Sequence, residues 1–323
     1  MNLLEIDNLT ITLDKQGIST TLVDDLSYRV EAGETLAIVG ESGSGKSLSS
    51  LAVMGLLAED LRVTAGTIRF DGVDLLSLSP EEMRKRRGRD MSMVFQEPMT
   101  SLNPVRNIGS QITESIEENL GLSRADARAR AIGLLEEVGV SDAARRMRQY
   151  PHHFSGGMRQ RVMIAIALAA EPRLIIADEP TTALDVTIQA QILDLMARIC
   201  RDHGTALILI THNLGIVARY AQNVNVMYGG RIVESGEART LYHAPRHPYT
   251  QGLLRSVPRL DRPRTEPLEP IAGNPADPFA RISGCRFHPR CPYAQAVCKT
   301  SIPPFEGGTA CHFPLSGATR EAS

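Results

Sequence analysis

Eight consecutive residues, GESGSGKS, have the types and spacing of a loop that binds phosphate groups. They are Gly40, Glu41, Ser42, Gly43, Ser44, Gly45, Lys46 and Ser47. The glycines allow successive backbone N–H groups to curl around phosphate oxygens, and the helix expected to follow adds the positive end of its dipole. Lys46 is expected to reach the β and γ phosphates, and Ser47 to offer its hydroxyl to Mg²⁺. An apolar strand precedes the loop, so the sequence predicts a nucleoside triphosphate site.

The segment LIIADEP, residues 174–180, ends an apolar strand with two acidic residues. Ligands of open α/β sheets bind at the carboxyl ends of the strands, so Asp178 and Glu179 are expected at such an edge. Asp178 suits the outer shell of Mg²⁺, and Glu179 is placed to polarise an attacking water. The simpler alternative is an acidic strand end that only caps the next helix. Together with the glycine-rich loop, the pair predicts hydrolysis of the nucleotide.

These motifs depend on strands and helices that the hydrophobic pattern predicts in a regular order. Residues 2–39 and 64–95 have strand character, and residues from about 105 to 170 are predicted to be helical. The segments LIIAD and ALILITHN are predicted as buried strands with a helix between them, and a closing hairpin follows. The pattern indicates an α/β layer with parallel strands, interrupted by a mainly helical insert.

The composition argues against several classes of protein. Hydrophobic residues make up 42% and charged residues 22% of the 323 residues, and the net charge is -2. Duplex nucleic acid as the main partner usually requires a strongly basic face, which this balance does not supply. The N-terminal residues do not resemble a signal peptide, and the longest apolar run, Val162–Ala170, is shorter than the about 20 residues that span a bilayer. The chain is therefore expected to be soluble or held to a membrane by a partner.

The C-terminal region differs in composition from the rest of the chain. Its prolines predict an extended linker or wrapping arm, since proline cannot donate to a ladder; they are Pro258, Pro263, Pro267, Pro270, Pro275 and Pro278. Four of the five cysteines follow, namely Cys285, Cys291, Cys298 and Cys311. Four thiolates in a short loop-rich segment suit an iron–sulfur cluster. Reduced free thiols, zinc and disulfides remain alternatives, although the spacing does not fit a usual zinc site and the compartment disfavours disulfides.

The segment FSGGMRQRVMIAIAL, which begins at Phe154, resembles the signature of ATP-binding cassette (ABC) ATPases. It follows the glycine-rich loop and precedes ADEP, as in that family, and the resemblance covers residues 2 to about 240. It implies an α/β fold, the P-loop NTPase ABC cassette, with a RecA-like mixed sheet core, an antiparallel β subdomain and a helical insert. A small cysteine-containing C-terminal extension is added here. We predict a nucleotide-binding domain over residues 1–245, with its helical insert at about 97–165, and a Pro-rich arm and Cys-containing segment over 246–323.

The resemblance also implies that two ATPases share each nucleotide. In this family the signature of one ATPase closes over the γ phosphate held by the other, so this chain's signature would serve a partner's ATP. The signature residues concerned are Ser155, Gly156, Gly157 and Gln160. Asp185, in TTALD, is similar to the D-loop aspartate at the dimer interface.

Two further residues match the family's catalytic positions. Gln96, in VFQEPM, is similar to the loop glutamine that senses Mg²⁺ and couples to membrane subunits, and His212, in ILITHN, to the switch histidine that contacts the γ phosphate. With ATP and Mg²⁺ as the implied cofactors, the expected catalytic residues are Lys46, Gln96, Glu179 and His212, and the expected Mg²⁺ ligands are Ser47, Gln96 and Asp178. One position departs from the family, because Leu13 stands where an aromatic residue usually stacks on adenine.

Three stretches are similar to one branch of the family, the ATPase subunits of bacterial oligopeptide and dipeptide importers (the peptide/nickel branch). They are QEPMTSLNP, QYPHHFSGGMRQRVMIA and RHPYTQGLLRSVP, and GCRFHPRCPYA extends the resemblance into the tail. The resemblance implies a peripheral ATPase at the cytoplasmic face of the inner membrane, driving import of peptides. Its implied partners are a second ABC ATPase in a heterodimer, two integral membrane permease subunits and, indirectly, an extracytoplasmic substrate-binding protein, without nucleic acid. Some members of the branch carry a 4Fe-4S cluster at such a tail, which implies the four cysteines as ligands.

Other functions within the family remain alternatives. A soluble ABC-type ATPase could act on nucleic acid or ribosomes, but such DNA-repair members carry long insertions between the two ATP motifs, whereas this interval is predicted as short helices. Ribosome-associated members carry two cassettes, and this chain has one. A non-peptide cargo such as nickel chelates or glutathione is a further alternative, because other chains select the cargo.

Overall fold

A computed structural model describes residues 2–15, 17–97, 101–182, 184–257, 269–280 and 282–316. The chain divides into two compact units. The helix-rich unit comprises Met1–Asn2, Val30–Thr35 and Ser77–Ile210, and the phosphate-loop unit comprises Leu3–Arg29, Leu36–Leu76 and Thr211–Ser323, as far as these ranges are described.

The strands and helices follow one another along both units. The strands are β1 (Asn2–Lys15), β2 (Ile18–Glu31), β3 (Thr35–Val39), β4 (Leu61–Phe70), β5 (Val73–Asp74), β6 (Met91–Val94), β7 (Leu174–Asp178), β8 (Ala206–Thr211), β9 (Asn223–Tyr228) and β10 (Arg231–Glu237). The helices are α1 (Lys46–Val53), α2 (Pro80–Arg89), α3 (Ile108–Leu120), α4 (Arg124–Glu137), α5 (Ala143–Arg146), α6 (Gly156–Leu168), α7 (Val186–Asp202), α8 (Leu214–Tyr220), α9 (Ala238–His243), α10 (Pro248–Arg255) and α11 (Ala296–Thr300).

An antiparallel sheet in the phosphate-loop unit has the strand order β2-β1-β4-β5. Along β2 the buried residues Leu26 and Tyr28 alternate with exposed ones, as is typical of an antiparallel strand with one solvated face. A register shift interrupts the pairing of β1 with β4 between Asp7 and Thr10. Gly66 faces this irregularity, because a Cβ there would lie 2.5 Å from the carbonyl oxygen of Asn8.

The strands β3, β9 and β10 carry the loop of residues 40–47, which we call the phosphate loop. β3 pairs with β9 in parallel, and β9 pairs with β10 in antiparallel. An apolar cluster covers these strands and includes Val39, Val226, Tyr228, Tyr249 and Phe287. Since Phe287 comes from the C-terminal segment and is 2% exposed, that segment forms part of the core beneath the phosphate loop.

The helix-rich unit contains three parallel strands, β6, β7 and β8, which pair in that order. Parallel neighbours require a crossover connection, and helices α3 to α6 supply it between β6 and β7, as α7 does between β7 and β8. Each residue of β7 is buried. Helices α3, α4, α6 and α7 begin at side-chain caps that accept a backbone N–H in the first turn; these caps are Asn107, Ser123, Ser155 and Asp185.

One helix lies where the sequence predicts strand character. Helix α2 falls inside residues 64–95, because Ser79 and Glu82 form a reciprocal capping box with Pro80 at the first helical position. The Ser79 N–H donates to the Glu82 carboxylate over 2.8 Å, and the Glu82 N–H donates to Ser79 Oγ over 3.3 Å. The basic residues that follow carry no apolar periodicity, so the hydrophobic pattern missed this helix.

The described part of the C-terminal region has little regular structure before Cys285. Residues 269–280 contain no helix or strand, whereas Pro258, Pro263 and Pro267 lie outside the described residues. Among the helices of the described ranges, none has the length and apolar character needed to cross a membrane. The boundary at residues 245 and 246 remains a prediction.

We expect Phe287→Ala to lower the free energy of unfolding by about 3–5 kcal/mol, because it removes a buried ring from a packed cluster. The ring of Phe287 lies 5.1 Å from that of Tyr228 and 5.3 Å from that of Tyr249, centroid to centroid. Chemical denaturation measures the change. Phe305→Ala is the matched control, since this side chain lies in the same tail and is 51% exposed. Equal shifts for the two variants would contradict the buried role of Phe287.

Candidate nucleotide-binding site

The phosphate loop connects the end of β3 to the first turn of α1 and depends on its glycines. Gly43 and Gly45 have φ values of 79° and 94°, in the left-handed region that favours glycine. At Gly40 the limit is space, because a Cβ there would lie 2.2 Å from the carbonyl oxygen of Met227 on β9. The loop backbone is therefore held directly against β9, with its N–H groups near the N-terminus of α1, where an anion is favoured.

Lys46 folds back over the loop that it follows. Its Nζ donates to the carbonyl oxygens of Gly40 and Glu41 over 2.7 and 2.9 Å, and the residue is 4% exposed. A buried ammonium group attracts an anion strongly, because water screens its charge poorly there. Ser47, the expected Mg²⁺ ligand, follows in the first turn of α1 and is half-buried.

Glu41 is held at both its backbone and its side chain by the C-terminal part of the unit. Its N–H donates to the hydroxyl oxygen of Tyr249 over 2.9 Å. Its carboxylate accepts two hydrogen bonds from the guanidinium of Arg290, 2.6 Å from Nη1 to Oε2 and 3.1 Å from Nη2 to Oε1. Such a bidentate pair fixes orientation as well as charge. The Arg290 side chain is only 6% exposed, so the pair is largely shielded from solvent.

The two partners of Glu41 keep their ordinary protonation states. Burial alone would lower the pKa of Arg290, but the hydrogen bonds to Glu41 and Tyr228 more than offset it, and the pKa lies above its usual value. Burial, reinforced by the nearby Glu41 charge, raises the pKa of Tyr249, which therefore remains a neutral phenol. Tyr249 is itself positioned by His247, the cap of α10, whose pKa burial lowers to about 3.

In the helix-rich unit, Gln96 and Glu179 lie together. The Gln96 Nε2 donates to Glu179 Oε2 over 3.4 Å, and the Thr182 hydroxyl donates to the same oxygen over 2.8 Å. Glu179 has a φ of 45°, in the left-handed region that is unfavourable for its residue type. Its N–H donates to the carbonyl oxygen of Ile210 over 3.0 Å, which holds this conformation. Asp178, the preceding residue, is buried at the end of β7.

The signature residues lie at the beginning of α6. Ser155 caps the helix by accepting the Met158 N–H over 3.4 Å, and Ser155 and Gly156 are exposed. Gly157 packs closely against α7, since a Cβ there would lie 3.0 Å from Ile188 Cγ2. Gln160 is fully buried, and its amide has no hydrogen-bond partner among the described residues. Its side chain thus faces the interior in this structure and not a surface that a partner could reach.

Three other predicted residues occupy varied surroundings. Asp185 caps α7 by accepting the Ile188 N–H over 3.0 Å. His212 is exposed and directly follows β8, in the phosphate-loop unit. Leu13 is half-buried on β1, in register with Leu61 on β4.

The four C-terminal cysteines line one small cavity together with aromatic and histidine side chains. They are Cys285, Cys291, Cys298 and Cys311, and all are free thiols. Burial first, and then the other cysteines, raise the pKa of Cys285 to about 11. Over the ranges that the structure describes, no group of three or more His, Cys, Asp or Glu side chains has the spacing for one metal ion.

The sequence interpretation gave no role to Tyr249 or Arg290. Both lie inside stretches that resembled the peptide-importer branch, RHPYTQGLL and GCRFHPRCPYA, so the resemblance marked the segments but not these residues. Their contacts with Glu41 are long-range in sequence and have no periodic signal.

Comparisons with known proteins agree with the order of these features. Residues 23–182 match the family described as ABC transporter, and residues 233–298 match the family described as oligopeptide/dipeptide transporter, C-terminal region. The dipeptide transport ATP-binding protein DppD of Escherichia coli (strain K12) is 47% identical over 325 residues, which cover 99% of each chain. The chain belongs to the ABC transporter family of ATP-binding proteins.

Further relatives and one solved structure support the same family and the same fold. The oligopeptide transport ATP-binding protein OppD of Salmonella typhimurium is 49% identical, over 94% of this chain and 90% of its own. The putative peptide import ATP-binding protein BMEII0863 of Brucella melitensis is 50% identical, over 94% and 93%. The ATP-binding cassette MJ0796, in a post-hydrolysis state bound to ADP and Pi, matches with a TM-score of 0.66 at 26% identity, over 73% of this chain and 99% of its own. The predicted ABC cassette fold is thereby confirmed.

We expect Gly40→Ala to raise the Kd of the cassette for ATP about tenfold or more, because a methyl group cannot fit against Met227 unless the loop moves. Overpacking of this kind costs about 1–3 kcal/mol, and each 1.4 kcal/mol is a factor of about ten in affinity. Equilibrium binding to the full-length chain measures the effect. Gly236→Ala is the control, since no atom lies within 4 Å of a Cβ at that position and its φ is not positive. An unchanged Kd for Gly40→Ala would show that the loop does not need its contact with β9.

Proposed function

We propose that this chain is the ATP-hydrolysing subunit of an importer that moves dipeptides or oligopeptides across the bacterial cytoplasmic membrane. The observation that carries the proposal is the pairing, in one chain, of an ABC transporter region with an oligopeptide/dipeptide transporter C-terminal region. Relatives named for dipeptide, oligopeptide and peptide transport, at 47% to 50% identity over nearly the whole chain, support it. This second region favours peptides over nickel chelates or glutathione, and favours a transporter over an ATPase that acts on nucleic acid or ribosomes.

In the proposed mechanism the phosphate loop binds the triphosphate and Lys46 neutralises the β and γ phosphates. Ser47, Gln96 and Asp178 would hold Mg²⁺, and the bound ion would stabilise the negative charge that develops on the phosphates in the transition state. Glu179 orients the attacking water. Its hydrogen bonds to Gln96 and Thr182 support this role, because they hold the carboxylate in one orientation.

The remaining residues contact the γ phosphate or lie at the interface with a second ATPase subunit. His212 contacts the γ phosphate in this proposal, and exposed Ser155 and Gly156, at the N-terminus of α6, face the nucleotide of a second ATPase subunit. The dipole of this 13-residue helix favours an anion there. Asp185 lies at the same interface. We assign Gln160 to the support of α6, since its buried side chain does not reach the surface.

The assembly that we propose contains several other chains. A second ABC ATPase forms a heterodimer with this chain, two integral membrane permease subunits receive the conformational change, and a substrate-binding protein outside the membrane delivers the peptide. ATP stabilises the closed dimer and its hydrolysis releases it, so transport follows from a shift in population between two states. This chain is then peripheral, at the cytoplasmic face of the inner membrane.

We expect hydrolysis by the reconstituted importer to be stimulated by peptide-loaded binding protein and to fall about 100-fold or more in Glu179→Gln, because a positioned acid–base group contributes about 10²–10⁴-fold. ATP binding by this variant should persist. Phosphate release in liposomes measures hydrolysis, and Glu118→Gln is the control, since that side chain is 64% exposed on α3.

Two results would contradict the proposal separately. Stimulation only by a binding protein loaded with a nickel chelate or glutathione would overturn the peptide cargo. Hydrolysis by Glu179→Gln within tenfold of the wild type would overturn the role of Glu179 but leave the cargo intact.

We further propose that Cys285, Cys291, Cys298 and Cys311 hold a 4Fe-4S cluster. The support is that four free thiols from different parts of a loop-rich segment line one cavity. A bound cluster would cross-link a segment that has only short helices of its own.

We expect protein purified without oxygen to contain about four irons and four sulfides per chain and to absorb broadly near about 400 nm. Cys298→Ala should lose this absorbance, whereas Cys200→Ala should keep it, because Cys200 is a buried residue of α7 outside the cavity. Stoichiometric zinc, or no metal in protein purified in this way, would contradict the cluster.

A further inference from the structure

The contact between Glu41 and Arg290 joins the phosphate loop to the cysteine-containing segment. Arg290 immediately precedes Cys291, and its guanidinium forms the bidentate pair with the Glu41 carboxylate. The pair is separated by 249 positions in the sequence, and both residues belong to the phosphate-loop unit. We propose that Arg290 is a positioning residue of the nucleotide site, acting on the phosphate loop through Glu41.

The pair first has an electrostatic effect on the phosphate loop. Glu41 is an acidic residue inside a loop that binds a highly charged anion, and an unpaired carboxylate there would repel the phosphates. Pairing with Arg290 cancels the charge of Glu41 and holds the carboxylate toward the C-terminal segment. Because Arg290 is 6% exposed and Glu41 is 25% exposed at their side chains, solvent screens this pair less than a surface pair.

Arg290 also helps to hold the backbone of the phosphate loop. Tyr249 accepts the Glu41 N–H, Lys46 donates to the Glu41 carbonyl oxygen, and Arg290 holds the carboxylate. All the hydrogen-bonding groups of Glu41 are thus engaged by three different elements. Loss of the Arg290 hydrogen bonds would leave the Glu41 side chain unrestrained. The backbone of the loop at Glu41 would then be held less firmly.

Arg290 is itself held in place by its neighbours. Its Nε donates to the carbonyl oxygen of Ala272 over 2.9 Å, and its guanidinium lies 5.9 Å from the centroid of the Tyr228 ring. Phe287, one turn earlier, packs edge-on against the same ring. A guanidinium held on several sides can impose an orientation on its partner, whereas a mobile surface arginine cannot.

The test is a double-mutant cycle on ATP binding by the full-length chain, with Arg290→Gln, Glu41→Gln and the double variant. We expect Arg290→Gln to raise the Kd for ATP about fivefold to twentyfold, because it leaves the Glu41 charge beside the phosphates, as is typical when one partner of a shielded pair is removed. In the Glu41→Gln background the same substitution should change the Kd less than about twofold, because coupled residues are not additive. Glu41→Gln alone should weaken binding less than Arg290→Gln does.

The control and a conservative variant separate this role from a general loss of structure. Arg255→Gln removes another arginine of the C-terminal region, which pairs with Glu269 over 3.6 Å, and should leave the Kd within about twofold of the wild type. Arg290→Lys keeps the charge but not the fork and should give an intermediate Kd. If Arg290→Gln does not fold, Arg290→Lys and its combination with Glu41→Gln provide the same cycle.

Three results would overturn the proposal: an unchanged Kd for Arg290→Gln, equal effects of Arg290→Gln in both backgrounds, or an equal loss of affinity in Arg255→Gln. Equal effects would mean that Arg290 acts on stability alone, without Glu41. The wild-type Kd is measured first, so a failure of ATP binding itself would be recognised separately from a failure of the Arg290 role.

Discussion

A loop that binds phosphate must hold its backbone N–H groups toward one place before the anion arrives, and the rest of this unit is arranged around that constraint. The position of a backbone N–H group cannot be adjusted by lengthening or shortening a side chain. It therefore depends on the groups against which the loop packs. Here the loop rests on β9, where Gly40 leaves no room for a Cβ, and on α10 and the C-terminal segment, through Glu41. The hydrophobic core under β3 and β9 thus supports the backbone of the phosphate loop.

The charged side chains near the phosphate loop and at Glu179 are also held by neighbouring groups. The buried Lys46 ammonium donates hydrogen bonds to carbonyl oxygens of the loop, which lowers the cost of its burial and holds it in place for phosphate. The carboxylate of Glu41 is neutralised by an arginine that the C-terminal segment supplies. In the helix-rich unit, Glu179 keeps its orientation through two hydrogen bonds and an uncommon backbone conformation. In each unit the charged group is thereby oriented by hydrogen bonds with neighbouring groups.

The sequence predicted the parts of this arrangement that are local. The buried strands β7 and β8, the helical insert and the two ATP motifs follow from apolar runs, periodicity and short motifs, and the structure has them in the predicted order. Helix α2 was missed because its signal is a capping box followed by charged residues, which a hydrophobic pattern does not detect. Tyr249 and Arg290 could not be found either, since their partner is more than 200 positions away and a pairing across that distance leaves no spacing to read.

The bond between positions 41 and 290 also restricts how such chains can change over time. An acidic residue at position 41 is tolerable only while a cation faces it, and an arginine at position 290 is buried at a cost unless an acid accepts its hydrogen bonds. Either substitution alone passes through a state with an unpaired charge at the nucleotide site, so the two positions are expected to covary among relatives. By the same reasoning, the C-terminal segments of two ABC ATPases are exchangeable only when residue 41 of the recipient suits the incoming residue at position 290.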